Sequence, residues 1–207
     1  IVSPYHNQMR RLERILYIFA QLNSTMSYSQ GFNEIAAVIY YVFSNAIEYF
    51  KNDYIQMEAL AFYFFQTLLG STKLNELTTM NDGSVMVYNR LSNFMDLLKK
   101  HLPKSYDIIK SINLHPIHFS YKWLTLLFAQ NYFIPDLMPI WDTLIVHFDD
   151  FIEYANYIAL IQIKMVGNQI SKDDDTKTIE ILTHINQYFE CDVKKILEYA
   201  QLYWDAD

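Results

Sequence analysis

Tyr28-Ser29-Gln30-Gly31-Phe32-Asn33-Glu34 is a short polar hinge set between two apolar stretches. Before it, Leu12, Ile15, Leu16, Phe19 and Leu22 recur at the spacing of one face of a helix. After it, Phe32, Ile35, Ala36, Ile39, Tyr40 and Phe43 take up the same period. The hinge therefore predicts a break between two helices. Gly31 lets the backbone turn there, and Gln30 carries an amide where another molecule can reach it.

Helical spacing continues along almost the whole chain. Asp53 is a good N-cap for a third helix running through Leu60, Phe64 and Leu68 to a stop at Gly70. Residues 71–84, rich in Ser, Thr and Asn, read as a loop. Further helices are expected over residues 85–101, 103–112, 117–131, 138–147, 151–170, 176–189 and 192–204. Asp173-Asp174-Asp175 would cap the helix that follows and complement its N-terminal dipole. Pro139 argues for a helix start near Met138. A start at Pro135 would leave Pro139 inside the ladder without an amide hydrogen. No long sequence period repeats, which disfavours a helical repeat array. The expectation is one all-α domain over residues 1–207, with about ten helices.

Composition narrows the function classes. Hydrophobic residues make up 52% and charged residues 19%, with only four Gly and five Pro, which excludes a turn-rich β protein or a disordered chain. A net charge of −7 opposes binding to nucleic acid or to an anionic membrane surface. One cysteine, Cys191, excludes a disulfide framework and a cysteine zinc site, and fits a reducing compartment. The apolar run from Ile35 to Phe43 ends at Ser44-Asn45, far short of the ~20 residues that span a bilayer. These features predict a soluble, cytoplasmic helical domain with no direct membrane insertion.

Two more stretches belong with the hinge: Tyr121-Lys122-Trp123-Leu124-Thr125-Leu126-Leu127-Phe128, then Ile140-Trp141-Asp142. Together the three resemble the TBC family, the GTPase-activating domains for Rab proteins. The family's Y-x-Q-G-[MF]-N-[DE] block matches at Tyr28, Gln30, Gly31, Phe32, Asn33 and Glu34. Its R-W-x-x-x-L-[LF] block, ending in W-D, matches at Trp123, Leu127, Phe128, Trp141 and Asp142. The family's first block, roughly I-x-x-D-x-x-R, carries an arginine finger and does not precede Tyr28. Asn7-Gln8-Met9-Arg10 lacks the aspartate. The resemblance thus implies the later two-thirds of a TBC domain, lacking the arginine-finger segment, and a chain inactive on its own.

The resemblance implies a Rab-family GTPase in its GTP-bound state as partner, with GTP and Mg2+ belonging to that partner and no cofactor or metal of this chain's own. It also implies a role in vesicle trafficking and intracellular protein transport, with endomembranes reached through the Rab. Gln30 would orient the hydrolytic water in trans, since a neutral amide has donors and an acceptor and no charge to repel phosphate. Gly31 would allow a close approach, Tyr28 would pack beneath the hinge, and Phe32, Asn33 and Glu34 would contact the partner or position the glutamine. Two alternatives stand beside this: an ordinary interhelical turn, and a catalytically inactive TBC-like module that binds a Rab or other partner as scaffold or effector.

In the second block Trp123 and Trp141 would pack together as core, with Asp142 accepting from the Trp123 indole or from a basic side chain. Lys122 and Asn131 depart from the family's usual Arg and Glu, and an ammonium cannot make the two-pronged pair of a guanidinium. Pro139 stands where the family often has a basic residue. His115 and His118 flank Pro116 and read as turn residues rather than metal ligands. Cys191 beside Asp192 lacks the electropositive setting of a reactive thiolate. No P-loop, G-x-G-x-x-G or G-x-S-x-G string occurs, which argues against a nucleotide or hydrolase site of its own.

Overall fold

The computed structural model describes residues 4–23, 30–72, 74, 83–190 and 192–207. These form ten α-helices and no strand. They fall into two compact units, Ile1–Ser84 and Val85–Asp207.

The first unit is built from α1 (Pro4–Leu22), α2 (Phe32–Asn45) and α3 (Tyr54–Ser71), which pack on one another. α1 buries Ile15 and Phe19, as the apolar spacing requires, whereas Leu22 is left exposed. α2 buries Phe32, Ile35, Ala36, Val38, Ile39 and Tyr40. A 3-10 turn over Ile47–Phe50 leads to Asp53, whose side chain accepts from the amides of Ile55 and Gln56 and caps α3 as expected. The buried face of α3 is Met57, Ala61, Phe65 and Leu68 rather than Leu60 and Phe64; Leu60 is exposed. An ion pair clamps α1 to α3. Arg14 donates through Nε and Nη2 to the two carboxylate oxygens of Glu58, each at 2.5 Å. Beside it, the Arg11 guanidinium lies 4.1 Å above the Tyr54 ring.

The loop expected over 71–84 falls largely outside the described residues. α4 (Gly83–His101) and α5 (Pro103–Ser111) follow, with Pro103 in the first turn where its missing amide costs nothing. The second unit is organised around α8 (Phe151–Val166), which packs against α6 (Ser120–Thr125), α7 (Ile134–Val146) and α10 (Val193–Trp204). α8 is buried nearly all round, from Phe151 and Ile152 to Ile163 and Val166, as a central helix must be. α9 (Asp175–Thr183) and α10 are capped by Asp174 and Asp192, which accept from the amides of Lys177 and Lys195.

Three sequence expectations are corrected. The helix expected over 117–131 is a 3-10 turn at Pro116–His118 followed by the six-residue α6. The helix expected over 176–189 stops at Thr183 and gives way to a 3-10 turn, Ile185–Gln187, which buries Ile185 completely. α7 begins at Ile134, so Pro139 does lie inside a helix. A proline there removes a ladder bond and costs ~3 kcal/mol. Burial of Leu137, Ile140, Trp141 and Leu144 along one face of α7 offsets it, each such side chain contributing about 1.5–3 kcal/mol. The ten-helix, all-α class stands as expected, while α8 ends at Val166 rather than at the expected residue 170.

Candidate functional site at the Gln30 turn

Gln30 is exposed and forms a two-residue turn with Gly31 directly ahead of α2. Gly31 has φ 106° and ψ −15°, a left-handed conformation that a side chain would strain. Its carbonyl accepts from the amide of Glu34 at 2.9 Å, the first bond of the helix. The Asn33 amide donates to the Glu34 carboxylate at 3.3 Å, and that acidic side chain lies in the first turn, where the helix dipole favours it. Tyr28 lies outside the described residues.

Phe32, one residue past the glycine, is 1% exposed. Its ring meets Phe19 of α1 edge-on at 5.8 Å and Phe65 of α3 at 6.1 Å, while Phe19 and Phe65 meet at 5.0 Å. Three mutually edge-on rings hold the first residue of α2 against both other helices, a geometry in which each pair adds about 0.5–1.5 kcal/mol beyond burial. The turn therefore has a fixed inner end and an exposed amide two residues away. Sequence patterning marks Phe32 but not Phe19 or Phe65 as part of this arrangement. Their signal is present only as apolar positions of α1 and α3.

The second block builds a different feature. The amide of Phe128 donates to the carbonyl of Trp123 at 3.0 Å across the end of α6, and Leu127 adopts φ 49°, so the helix closes with a left-handed residue. Phe128 is left-handed as well, at φ 63°. Neither residue is glycine, and each such conformation costs ~1–2 kcal/mol. Both side chains are fully buried, at 0% exposure, which contributes about 1.5–3 kcal/mol each and outweighs the strain. The Trp141 indole then donates to the Leu127 carbonyl at 2.9 Å.

Trp123 is 1% exposed and lies edge-on to Phe119 at 5.7 Å. The two indoles form no ring pair with each other. Asp142 is exposed, and among the described residues neither Trp123 nor a basic side chain donates to it. Lys122 is exposed on α6. His115 accepts the amide of Ile117 on Nδ1 at 3.2 Å and so caps the 3-10 turn. Cys191 lies outside the described residues. No helix of the described residues is long and apolar enough to cross a membrane.

The described residues thus make an all-helical domain with an exposed glutamine on a glycine turn and a tryptophan block that closes a short helix. The sequence profile of the Rab-GTPase-TBC domain matches residues 3–171, and the chain belongs to that family. Human TBC1 domain family member 13 is 28% identical over 195 residues, covering 94% of this chain and 47% of its own length. A TBC domain-containing protein of Schizosaccharomyces pombe is 34% identical over 134 residues, covering 64% of this chain and 21% of its own length. The chain thus spans about half the length of the human relative, and less of the other. Among solved structures, the Ypt/Rab-GAP domain of Gyp1p shares the fold with a TM-score of 0.78 at 17% identity, over 95% of this chain and 66% of that one.

Proposed function

We propose that this chain is the glutamine-bearing part of a GTPase activator for a Rab-family GTPase in its GTP-bound state. The observation that carries the reading is the exposed Gln30 at the left-handed Gly31 turn, in a chain of the Rab-GTPase-TBC family. A small GTPase hydrolyses GTP slowly because water must be held in line with the γ-phosphate while charge builds on the phosphoryl oxygens. The Gln30 amide accepts a hydrogen bond from that water and donates one toward the phosphoryl group, so it orders the nucleophile without adding charge. GTP and Mg2+ are the partner's. In this reading an arginine given in trans supplies the positive charge, an effect worth roughly 10³–10⁵ in rate.

Gly31, itself buried, lets the chain turn so that Gln30 faces outward, and Asn33 and Glu34 brace the first turn of α2. Lys122, Trp123, Trp141 and Asp142 belong to scaffolding in this reading, with Trp123 and Trp141 as buried supports. The protein works in the cytoplasm and reaches endomembranes through its Rab, in a step of vesicle trafficking.

The test is single-turnover GTP hydrolysis on a panel of GTP-loaded Rabs, with the intact parent protein. Stimulation of at least one Rab is expected, and Gln30→Ala should lower it by about 10²–10³-fold, the scale of losing one preorganised transition-state donor, with binding nearly unchanged. A variant with the wild-type rate would overturn the mechanism. Binding that depends on the nucleotide state, without stimulation, would move the reading to a non-catalytic Rab-binding module.

A further inference from the structure

We propose that Phe19 of α1 and Phe65 of α3 are positioning residues for Gln30, acting through Phe32; the inference rests on the activator reading above. Phe19 and Phe65 are both 0% exposed, so neither touches a partner. What they touch is Phe32, at 5.8 and 6.1 Å between ring centres, and each other at 5.0 Å. Phe32 is the first residue of α2 and is separated from Gln30 only by Gly31. Gly31 itself holds one left-handed conformation, φ 106° and ψ −15°, with its carbonyl bound to the Glu34 amide at 2.9 Å, so the placement of Phe32 carries through it to Gln30. The direction of the exposed amide is therefore set by how tightly the residue after the glycine is held. Three interlocked rings hold it from two sides.

Edge-on aromatic packing suits this task. Rigid rings with few rotamers fix a backbone within a fraction of an ångström, whereas a smaller aliphatic side chain leaves room to tilt. Hydrolysis is sensitive to such tilting: a misplacement of about 1 Å in a catalytic group costs up to ~10²-fold in rate. The predicted signature is a loss of kcat with the affinity for the Rab preserved, because the partner still meets the same surface. A purely structural role would lower stability and leave kcat alone.

The experiment uses the intact parent protein and the GTP-loaded Rab it stimulates most. Phe65→Leu and Phe19→Leu are measured beside Phe94→Leu, a control that makes the same change at a fully buried phenylalanine of α4. All assays run well below the thermal midpoint of each variant, checked by circular dichroism. The expected result is a fall in kcat of roughly tenfold or more for Phe65→Leu and Phe19→Leu, with KM within about twofold and no such fall for Phe94→Leu. In a Gln30→Ala background, Phe65→Leu should lower kcat no further, since the group it positions is gone.

If no Rab is stimulated, or Gln30→Ala keeps the wild-type rate, the activator reading and this inference fall together. If Gln30→Ala loses activity but both Phe→Leu variants match Phe94→Leu in kcat, the inference alone falls. It falls equally if Phe65→Leu is as damaging without Gln30 as with it.

Discussion

The indole nitrogen of Trp141 donates a 2.9 Å hydrogen bond to the carbonyl of Leu127, a residue held at φ 49°. Fourteen residues apart in sequence, the two are locked together where α6 ends. The bond gives a strained carbonyl a buried partner and ties α7 to the chain reversal after α6.

Trp141→Phe removes that donor together with the part of the buried ring that carries it, so lost packing adds to the lost bond. A buried acceptor stripped of its donor costs about 1–3 kcal/mol, so the variant should unfold at lower denaturant with an unchanged slope. Chemical denaturation measures it, and an unaltered midpoint would mean that the bond contributes nothing net.

Gln162, in the middle of α8, is 0% exposed, and neither its amide nitrogen nor its oxygen has a partner among the described residues. Gln162→Met fills similar volume without the unpaired groups. It should raise the unfolding free energy by about 1–2 kcal/mol, read as a higher thermal midpoint. A clear loss of stability would instead mean that the amide is satisfied by ordered water.

Two glycines should answer an alanine oppositely. Gly31 sits at φ 106°, so Gly31→Ala should cost about 1–2 kcal/mol and disturb the direction of Gln30. Gly70 lies within α3 with nothing inside 4 Å of where an alanine Cβ would stand, so Gly70→Ala should stabilise by roughly 0.5–1 kcal/mol. Paired thermal melts test both, and the same sign for the two would contradict the account.

Asp207 accepts from Lys100 Nζ at 2.6 Å and Tyr157 Oη at 2.7 Å, and its contact with His101 Nε2 is at 2.8 Å. The Lys100 bond above all, then those of Tyr157 and His101, hold its carboxyl well below the ordinary carboxylate range. A depressed folded-state pKa contributes stability that is complete above the ordinary value near pH 4 and is lost as pH falls through the folded one. At the other extreme, burial first and then the Asp205 charge push the Tyr154 hydroxyl up to about 12. Its contribution is complete below pH ~10 and is lost as pH rises toward 12. The unfolding midpoint of the wild type should therefore drop between about pH 4 and pH 2, and Asp207→Asn should flatten that acid limb. Melts across pH decide it; an acid limb identical in the variant would remove Asp207 from the explanation.

How much could be read in advance depended on where the deciding energy lies. The Asp53 and Asp174 caps were legible because each acts on amides two or three residues away, whereas Asp192, expected as the first residue of the last helix, is its cap instead. The break at Gln30-Gly31 was legible for the same reason, since only glycine takes φ 106° without strain. The α3 face was not. Tyr54–Ser71 is apolar on several sides, so spacing alone favoured Leu60 and Phe64, while packing against α1 and α2 selected Met57, Ala61 and Phe65. Nor could Arg14 be matched to Glu58, forty-four residues on, from sequence spacing.

By itself the amino-acid sequence determined the all-helical class, the Asp53 and Asp174 caps, the glycine turn that presents Gln30 and, through three short blocks, the family. These follow from near-neighbour patterning and from the backbone freedom of single residues. Only the tertiary structure decided that α6 stops at Thr125, that Leu127 and Phe128 turn left-handed, that Pro139 is tolerated inside α7 and that Phe19 and Phe65 close on Phe32. In each case a local conformational penalty, or a local indifference, is overridden by burial against residues distant in sequence, and that balance exists only once the partners have met.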